Sequence, residues 1–380
     1  MATIALSIDV MLPALGEIAS EFGIAHDNRR QLVIVTLFVG LAAGQLIFGP
    51  LSDAIGRRPA ITVGAVIFAV GGGVCALSST FEGLIAGRLL QGFGAAGPRI
   101  VTVALMRDRF EGRAMAQVMS IIMGTFIMVP VLAPSLGQAL LVFMSWRGLF
   151  GFLSVVCLLG TVWLLLRQPE THVDRQRLGA KTLKIAARQV VTDRCAMAYT
   201  LAGGFCYGAL MGYIGSSQQL FQETYRVGDL YVILFGVSAA FVSAATFTNS
   251  ILVKHVTMEG ICVVAVGALV AWSAAYLAII LAAGSLPPLW AFMLFNCPAL
   301  FMLGLTFGNF SAIALQHLGH IAGLAAAMTA SLLTLVGVVG AALIGFSFDG
   351  TVVPIVLGYL LSGLIAVALM RLCPSRREPL

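Results

Sequence analysis

Asp9 is the only carboxylate of this 380-residue chain placed deep inside a long apolar run, and Arg88, Gln91 and Arg99 are the strongly polar residues of another. Glu82, Glu223, Asp229 and Asp349 all fall near the ends of such runs. If the runs cross a membrane, a charge at the bilayer centre costs at least ~2.5–3.5 kcal/mol on insertion scales, so a buried acid is a functional residue by default. Desolvation draws a buried carboxyl towards its neutral form, and a nearby arginine draws it towards the anion. A group held between those pulls can take up and release a proton when its surroundings shift slightly. The competing reading is a permanently paired acid that locks two helices together. Arg88 is the expected partner. At 100° per residue Arg88 and Arg99 lie within about 20° of each other, on one cationic face about 16 Å long that must look into a cavity or a paired interior. Arg99 follows Gly97-Pro98, and its alternative is to snorkel towards the membrane surface.

The elements that must hold these residues are membrane helices. Charged residues make up 10% of the chain and hydrophobic ones 59%, whereas an ordinary soluble domain carries about 25% charge. Runs of about 20 apolar residues occur at 2–20, 31–52, 60–79, 82–106, 115–140, 146–167, 196–220, 230–252, 261–283, 289–314, 321–346 and 352–372. The pattern predicts an all-α polytopic membrane protein with twelve spans in two six-helix bundles, 1–167 and 196–380, joined by a basic linker at 168–195. The net charge of +6 comes from basic residues in the connections between spans, which argues against a nucleic-acid partner. With the turn at Arg57 in the cytoplasm, that side collects Arg107, Arg109, Arg113, Arg167, Lys254, Arg371 and the linker's basic residues. The other side holds Arg29, Arg30, Arg147 and Arg226. The positive-inside rule then puts both termini in the cytoplasm. The first span starts at Met1 without a cytoplasmic flank, as though the first half of that helix were missing.

Four further groups are singled out. Gly49, Asp53, Gly56, Arg57 and Arg58 pack an acid, two bases and helix breakers between two apolar runs. They read as a tight cytoplasmic turn, either a topology anchor or a gate in which Asp53 pairs with a base such as Arg113. Gly124, Pro130, Pro134 and Gly137 in the fifth span make a bent helix that can approach a neighbour closely. Phe38, Met123, Tyr207, Tyr213, Gln218, Phe241, Asn296 and Asn309, with Arg99, are the residues available to an amphipathic substrate cavity; each taken alone is more often packing glue between helices. The seven cysteines show no CxxC or metal spacing and read as small apolar packing residues of a reducing compartment.

The segment Gly49-Pro50-Leu51-Ser52-Asp53-Ala54-Ile55-Gly56-Arg57-Arg58 resembles the loop between helices 2 and 3 of the major facilitator superfamily. Arg88-Leu89-Leu90-Gln91-Gly92 resembles its helix 4 motif. Ala133-Pro134-Ser135-Leu136-Gly137-Gln138 is similar to the helix 5 motif of proton-driven antiporters. Leu6-Ser7-Ile8-Asp9-Val10-Met11-Leu12-Pro13 and Met106-Arg107-Asp108 resemble the bicyclomycin/chloramphenicol-resistance (Bcr/CflA) branch of drug exporters. The resemblance implies that Asp9 couples proton entry to drug release, that Arg88 and Gln91 form its polar network, and that the fifth helix seals the resting carrier. Ala54, Ala133 and Gln138 depart from the motifs. It further implies a monomer in a bacterial inner membrane, carrying small drug-like molecules and using no cofactor beyond the proton gradient. An importer or metabolite exporter on the same fold is the alternative within transport; a receptor or channel is the alternative outside it. No phosphate-binding G-x-x-x-x-G-K-[ST] loop supports ATP drive, and no cluster inside the spans has the spacing of an enzyme's metal or nucleophile site.

Overall fold

The computed structural model describes residues 2–24, 28–110, 129–171, 187–316, 318 and 321–373. The chain divides into two compact units, Met1–Leu183 and Lys184–Leu380.

In the first unit, α1 (Ala2–Asp9) and α2 (Leu15–Glu21) are joined through a 3-10 turn, Leu12–Ala14. They are followed by α3 (Leu32–Ile55), α4 (Arg57–Leu77), α5 (Phe81–Arg109), α6 (Val129–Leu141) and α7 (Trp146–Arg167). The second unit holds α8 (Arg194–Gln218), which runs on into a π-helical turn, Gln219–Thr224, and then α9 (Leu230–Leu252), α10 (Met258–Ala283), α11 (Leu289–Leu315), α12 (Ala322–Phe346) and α13 (Val353–Met370). Among the described residues ten segments are long and apolar enough to cross a membrane. The 25-residue α8 and the shorter apolar α6 overlap the two other predicted spans, 196–220 and 115–140. The fold is all-α.

Sequence sets the helix starts. Thr80, Asp193 and Thr257 each accept a hydrogen bond from a first-turn N–H, those of Gly83, Ala196 and Gly260, satisfying donors that helix geometry orphans. Large apolar side chains such as Leu77, Trp163, Val264 and Trp290 lie exposed on the outer faces, as they do where the solvent is lipid. Helix contacts inside each unit rely on small residues. A Cβ on Gly92 of α5 would lie 1.9 Å from the Leu37 carbonyl oxygen of α3, and one on Gly40 would lie 2.0 Å from that of Leu89. Backbone therefore meets backbone where α3 and α5 cross, and this brings the Arg88 side chain within reach of its partners.

Two expectations change here. The first span is not one continuous helix. Pro13 has no N–H to give to the Asp9 carbonyl four residues back, and its ring clashes with that oxygen, so α1 ends at Asp9. The segment at 49–58 is not an open loop either. α3 continues to Ile55 through Pro50, α4 begins at Arg57, and Gly56 alone, at φ +102°, turns the chain between them.

Candidate functional site

The break in the first span is the starting point for the buried site. The Met11 N–H turns to the Ile8 oxygen, 3.2 Å away, and leaves the Ser7 carbonyl without its usual i+4 donor. Arg88 takes that place: Nη1 and Nη2 both donate to Ser7 O at 3.2 Å, Nε donates to Val33 O at 2.8 Å, and Nη1 also donates to Gln91 Oε1 at 2.8 Å. The guanidinium carbon lies 5.6 Å from the centre of the Phe150 ring, within cation–π range. Arg88 and Gln91 are fully buried.

Asp9 sits two residues beyond Ser7, at the break itself. It is 3% exposed, and its Oδ1 has no hydrogen-bond partner among the described residues. No Asp9–Arg88 ion pair forms. The depth of the two residues along their helices makes such a pair reasonable, but the Ser7 carbonyl left free at the break and the Val33 carbonyl of α3 occupy the guanidinium first. Arg88 therefore braces the break in neutral contacts, while the Asp9 carboxyl pairs with no cation among the described residues. Gly137 of α6 closes on the same stretch of chain: a Cβ there would lie 2.2 Å from Val10 O. Pro130 and Pro134 lie in that helix, and Gly124 falls outside the described residues. Arg99, eleven residues beyond Arg88, is half-buried and does not join the network.

At one end of the same unit a charged cluster gathers around Arg57, which is 6% exposed. Its Nε donates to Asp108 Oδ2 at 2.8 Å and Nη2 to Asp108 Oδ1 at 3.3 Å; Nη1 reaches Ser52 Oγ at 2.8 Å and the Asp53 carboxylate. Among the described residues Asp53 thus pairs with Arg57, and Arg113 lies outside them. Gly49 contributes its carbonyl to Ser52 Oγ at 2.9 Å. Arg58 is turned away from the acids, donating to Leu165 O of α7 at 2.7 Å.

A strap formed by residues 168–171 lies across this cluster. Glu170 Oε1 accepts from the Arg57 N–H at 2.9 Å and Oε2 from the Arg58 N–H at 3.0 Å, placing a carboxylate on the positive end of α4. Thr171 Oγ1 donates to Asp108 Oδ2 at 3.1 Å, and Arg109 donates to Gln168 Oε1. Gly56 leaves the room this requires, since a Cβ there would meet Glu170 Oε2 at 2.8 Å. Sequence reading passed over Glu170 and gave Asp108 no role. The available signal was a carboxylate just past an apolar run, beside a helix start with no capping side chain of its own.

The cavity candidates separate into distinct groups. In the second unit, Asn296 accepts from Tyr359 OH at 2.9 Å and donates to Ser238 Oγ at 3.4 Å, and all three are buried. Tyr213 stacks on Phe235 with ring centres 6.4 Å apart. Asn309 and Asn249 exchange amide hydrogen bonds of 2.7 and 3.3 Å between α11 and α9, which is packing glue. Gln218 donates to Gln222 one turn on, at 2.9 Å. Tyr207 meets Phe307 edge-on, and Phe241 is exposed. Phe38 is buried in the first unit, and Met123 lies outside the described residues.

The cysteines also divide. Five are free and buried, whereas Cys195 and Cys373 are joined by a disulfide, which corrects the reading of all seven as packing residues.

Comparison with known proteins adds the family. The sequence model of the Major Facilitator Superfamily matches residues 1–341. An MFS-type transporter of Bacillus subtilis, YdgK, is 30% identical over 92% of this chain and 87% of its own length. A bicyclomycin resistance protein homolog of Haemophilus influenzae is 29% identical over 66% of this chain and 64% of its own. A chloramphenicol resistance protein of Pseudomonas aeruginosa is 35% identical over 45% of this chain and 41% of its own. Among solved structures, the D-xylose-proton symporter has a TM-score of 0.72 at 13% identity, covering 97% of this chain and 94% of that one; this likeness concerns the fold.

Proposed function

Because the chain belongs to the major facilitator superfamily, in the branch of its bicyclomycin- and chloramphenicol-resistance relatives, we propose that it exports drugs or small amphipathic molecules in exchange for protons, by alternating access. It is a multi-pass membrane transporter and not an enzyme. The drug-like cargo is drawn from the names of those relatives.

The observation that carries proton coupling is Asp9, buried at a break in a membrane helix with no cation to neutralise it among the described residues. A carboxyl so placed changes its charge only by exchanging a proton. Its position at the break ties that change to the helix's shape, because Arg88 grips the carbonyl two residues earlier. Export then follows from competition: protonated Asp9 disfavours the drug-bound arrangement, so protons moving inward drive drug outward. The Asp53–Arg57–Asp108 cluster serves as the cytoplasmic gate, with the Glu170 strap over it. Both termini lie in the cytoplasm on this reading, which the distribution of basic residues supports. The close fit of Gly137 against Val10 seals the resting carrier, which acts as a monomer.

The test is efflux of candidate compounds from cells carrying wild type or Asp9→Asn. The variant inserts at normal levels and loses proton-driven efflux. Normal efflux by Asp9→Asn contradicts the mechanism. An importer or metabolite exporter on this fold is separated by a susceptibility screen in a pump-deficient host, where only a drug exporter raises resistance.

A further inference from the structure

The five free cysteines are buried within the helices, but Cys195 and Cys373 are each half-exposed. Cys195 is the second residue of α8, the first long helix of its unit. Cys373 follows the end of α13, the last helix among the described residues. Their Cα atoms are 5.1 Å apart across a sequence separation of 178 residues, so one bond closes nearly the whole second unit into a loop. Arg194 adjoins Cys195, Arg371 lies two residues before Cys373, and Arg376 and Arg377 follow. This basic end is the one that the positive-inside rule assigns to the cytoplasm, where thiols are ordinarily kept reduced. A disulfide-ready, accessible pair facing a reducing compartment is the arrangement of a reversible redox site; a permanent structural bridge belongs on the oxidising side.

We propose that Cys195 and Cys373 form a reversible oxidation site, a dithiol in the unstressed cell that becomes a disulfide under peroxide and staples α8 to α13. In the closing step the two thiols lose two protons and two electrons. Hydrogen peroxide takes them and leaves as two waters, and one S–S bond replaces two S–H bonds. A low-molecular-weight thiol of the glutathione class reverses the step by exchange through a mixed disulfide and is itself oxidised to its disulfide. The inference rests on the cytoplasmic placement of this end and not on what the protein transports.

The test tags accessible thiols of the full-length protein in native membranes with a polyethylene-glycol maleimide, and reads the mass shift without reductant. Membranes from unstressed cells show two tags. A peroxide pulse removes both, and dithiothreitol restores both. Cys195→Ser and Cys373→Ser each show a single tag before oxidation. Peroxide treatment raises the thermal unfolding midpoint of the purified wild type by about 5 °C or more, from loop closure across the unit, and leaves each serine variant unshifted. Tags that persist after peroxide overturn the proposal. So does a bridge already closed in unstressed cells, or labelling of these cysteines by an impermeant maleimide outside intact cells, since either makes the bond a structural one.

Discussion

Each unit of this transporter buries a polar side chain at the eighth residue of a long helix, Arg88 in α5 counting from Phe81 and Asn296 in α11 counting from Leu289. Both are 0% exposed, yet they do different work. Arg88 brings a fixed positive charge to a broken helix and bonds carbonyls of two neighbouring helices, with Asp9, which pairs with no cation among the described residues, two residues from one of them. Asn296 joins neutral groups of intact helices, Tyr359 and Ser238. The difference teaches that burial of a polar group is not in itself a sign of coupling. What distinguishes the first unit is a helix that breaks, where α11 runs on unbroken through Pro298, and an acid at the break. On the proposed mechanism the proton chemistry falls to the first unit, and the second supplies neutral hydrogen bonds.

The comparison breaks most readily at Arg88. Arg88→Met orphans Ser7 O and Gln91 Oε1, each costing about 1–3 kcal/mol when left buried without a donor, and strips Val33 O of its second donor. A fall in the melting midpoint of detergent-purified protein by about 6 °C or more is expected. A variant as stable as wild type would show that the break does not depend on its brace.

Gly137→Ala comes next. A methyl 2.2 Å from Val10 O forces α6 away from the broken span, at about 1–3 kcal/mol for overpacking. The melting midpoint falls, and the carrier leaks protons without drug, measured as decay of an imposed pH gradient. In the second unit, Tyr359→Phe removes one neutral hydrogen bond for about 1 kcal/mol and leaves drug-coupled proton flux in place. Loss of coupling in that variant would erase the division between the units. The smallest effect is expected of Glu170→Gln, which weakens a carboxylate contact with a helix N-terminus by about 0.5 kcal/mol, an effect that salt diminishes in the wild type; melting curves at low and high ionic strength check it.

The sequence made the helices legible far better than the contacts. The spans at 146–167 and 230–252 coincide with α7 and α9 because uninterrupted apolar runs have sharp ends. Asp9 stood out for the same reason, as a charge where hydrocarbon was expected. The Arg88 contacts were not legible, because they depend on which carbonyls become free. Pro13 was the clue, and its consequence appears only when α3 and α5 close through Gly40 and Gly92. At 49–58 the charges suggested a loop. In the structure Arg57 neutralises Asp53 within one helical turn's distance and Asp108 across helices, so the helices run almost to contact at Gly56. Cys195 and Cys373 are separated by the whole second unit, and spacing carries no trace of such a pair.

Proton-coupled export requires that the acid at the break carry the proton. The direct measurement is proton flux in proteoliposomes with an imposed pH gradient, across a panel of candidate compounds, for wild type beside Asp9→Asn. A transported compound collapses the gradient in wild-type vesicles and leaves it intact in Asp9→Asn vesicles containing the same amount of folded protein. Equal compound-driven proton flux in the two would contradict the central claim.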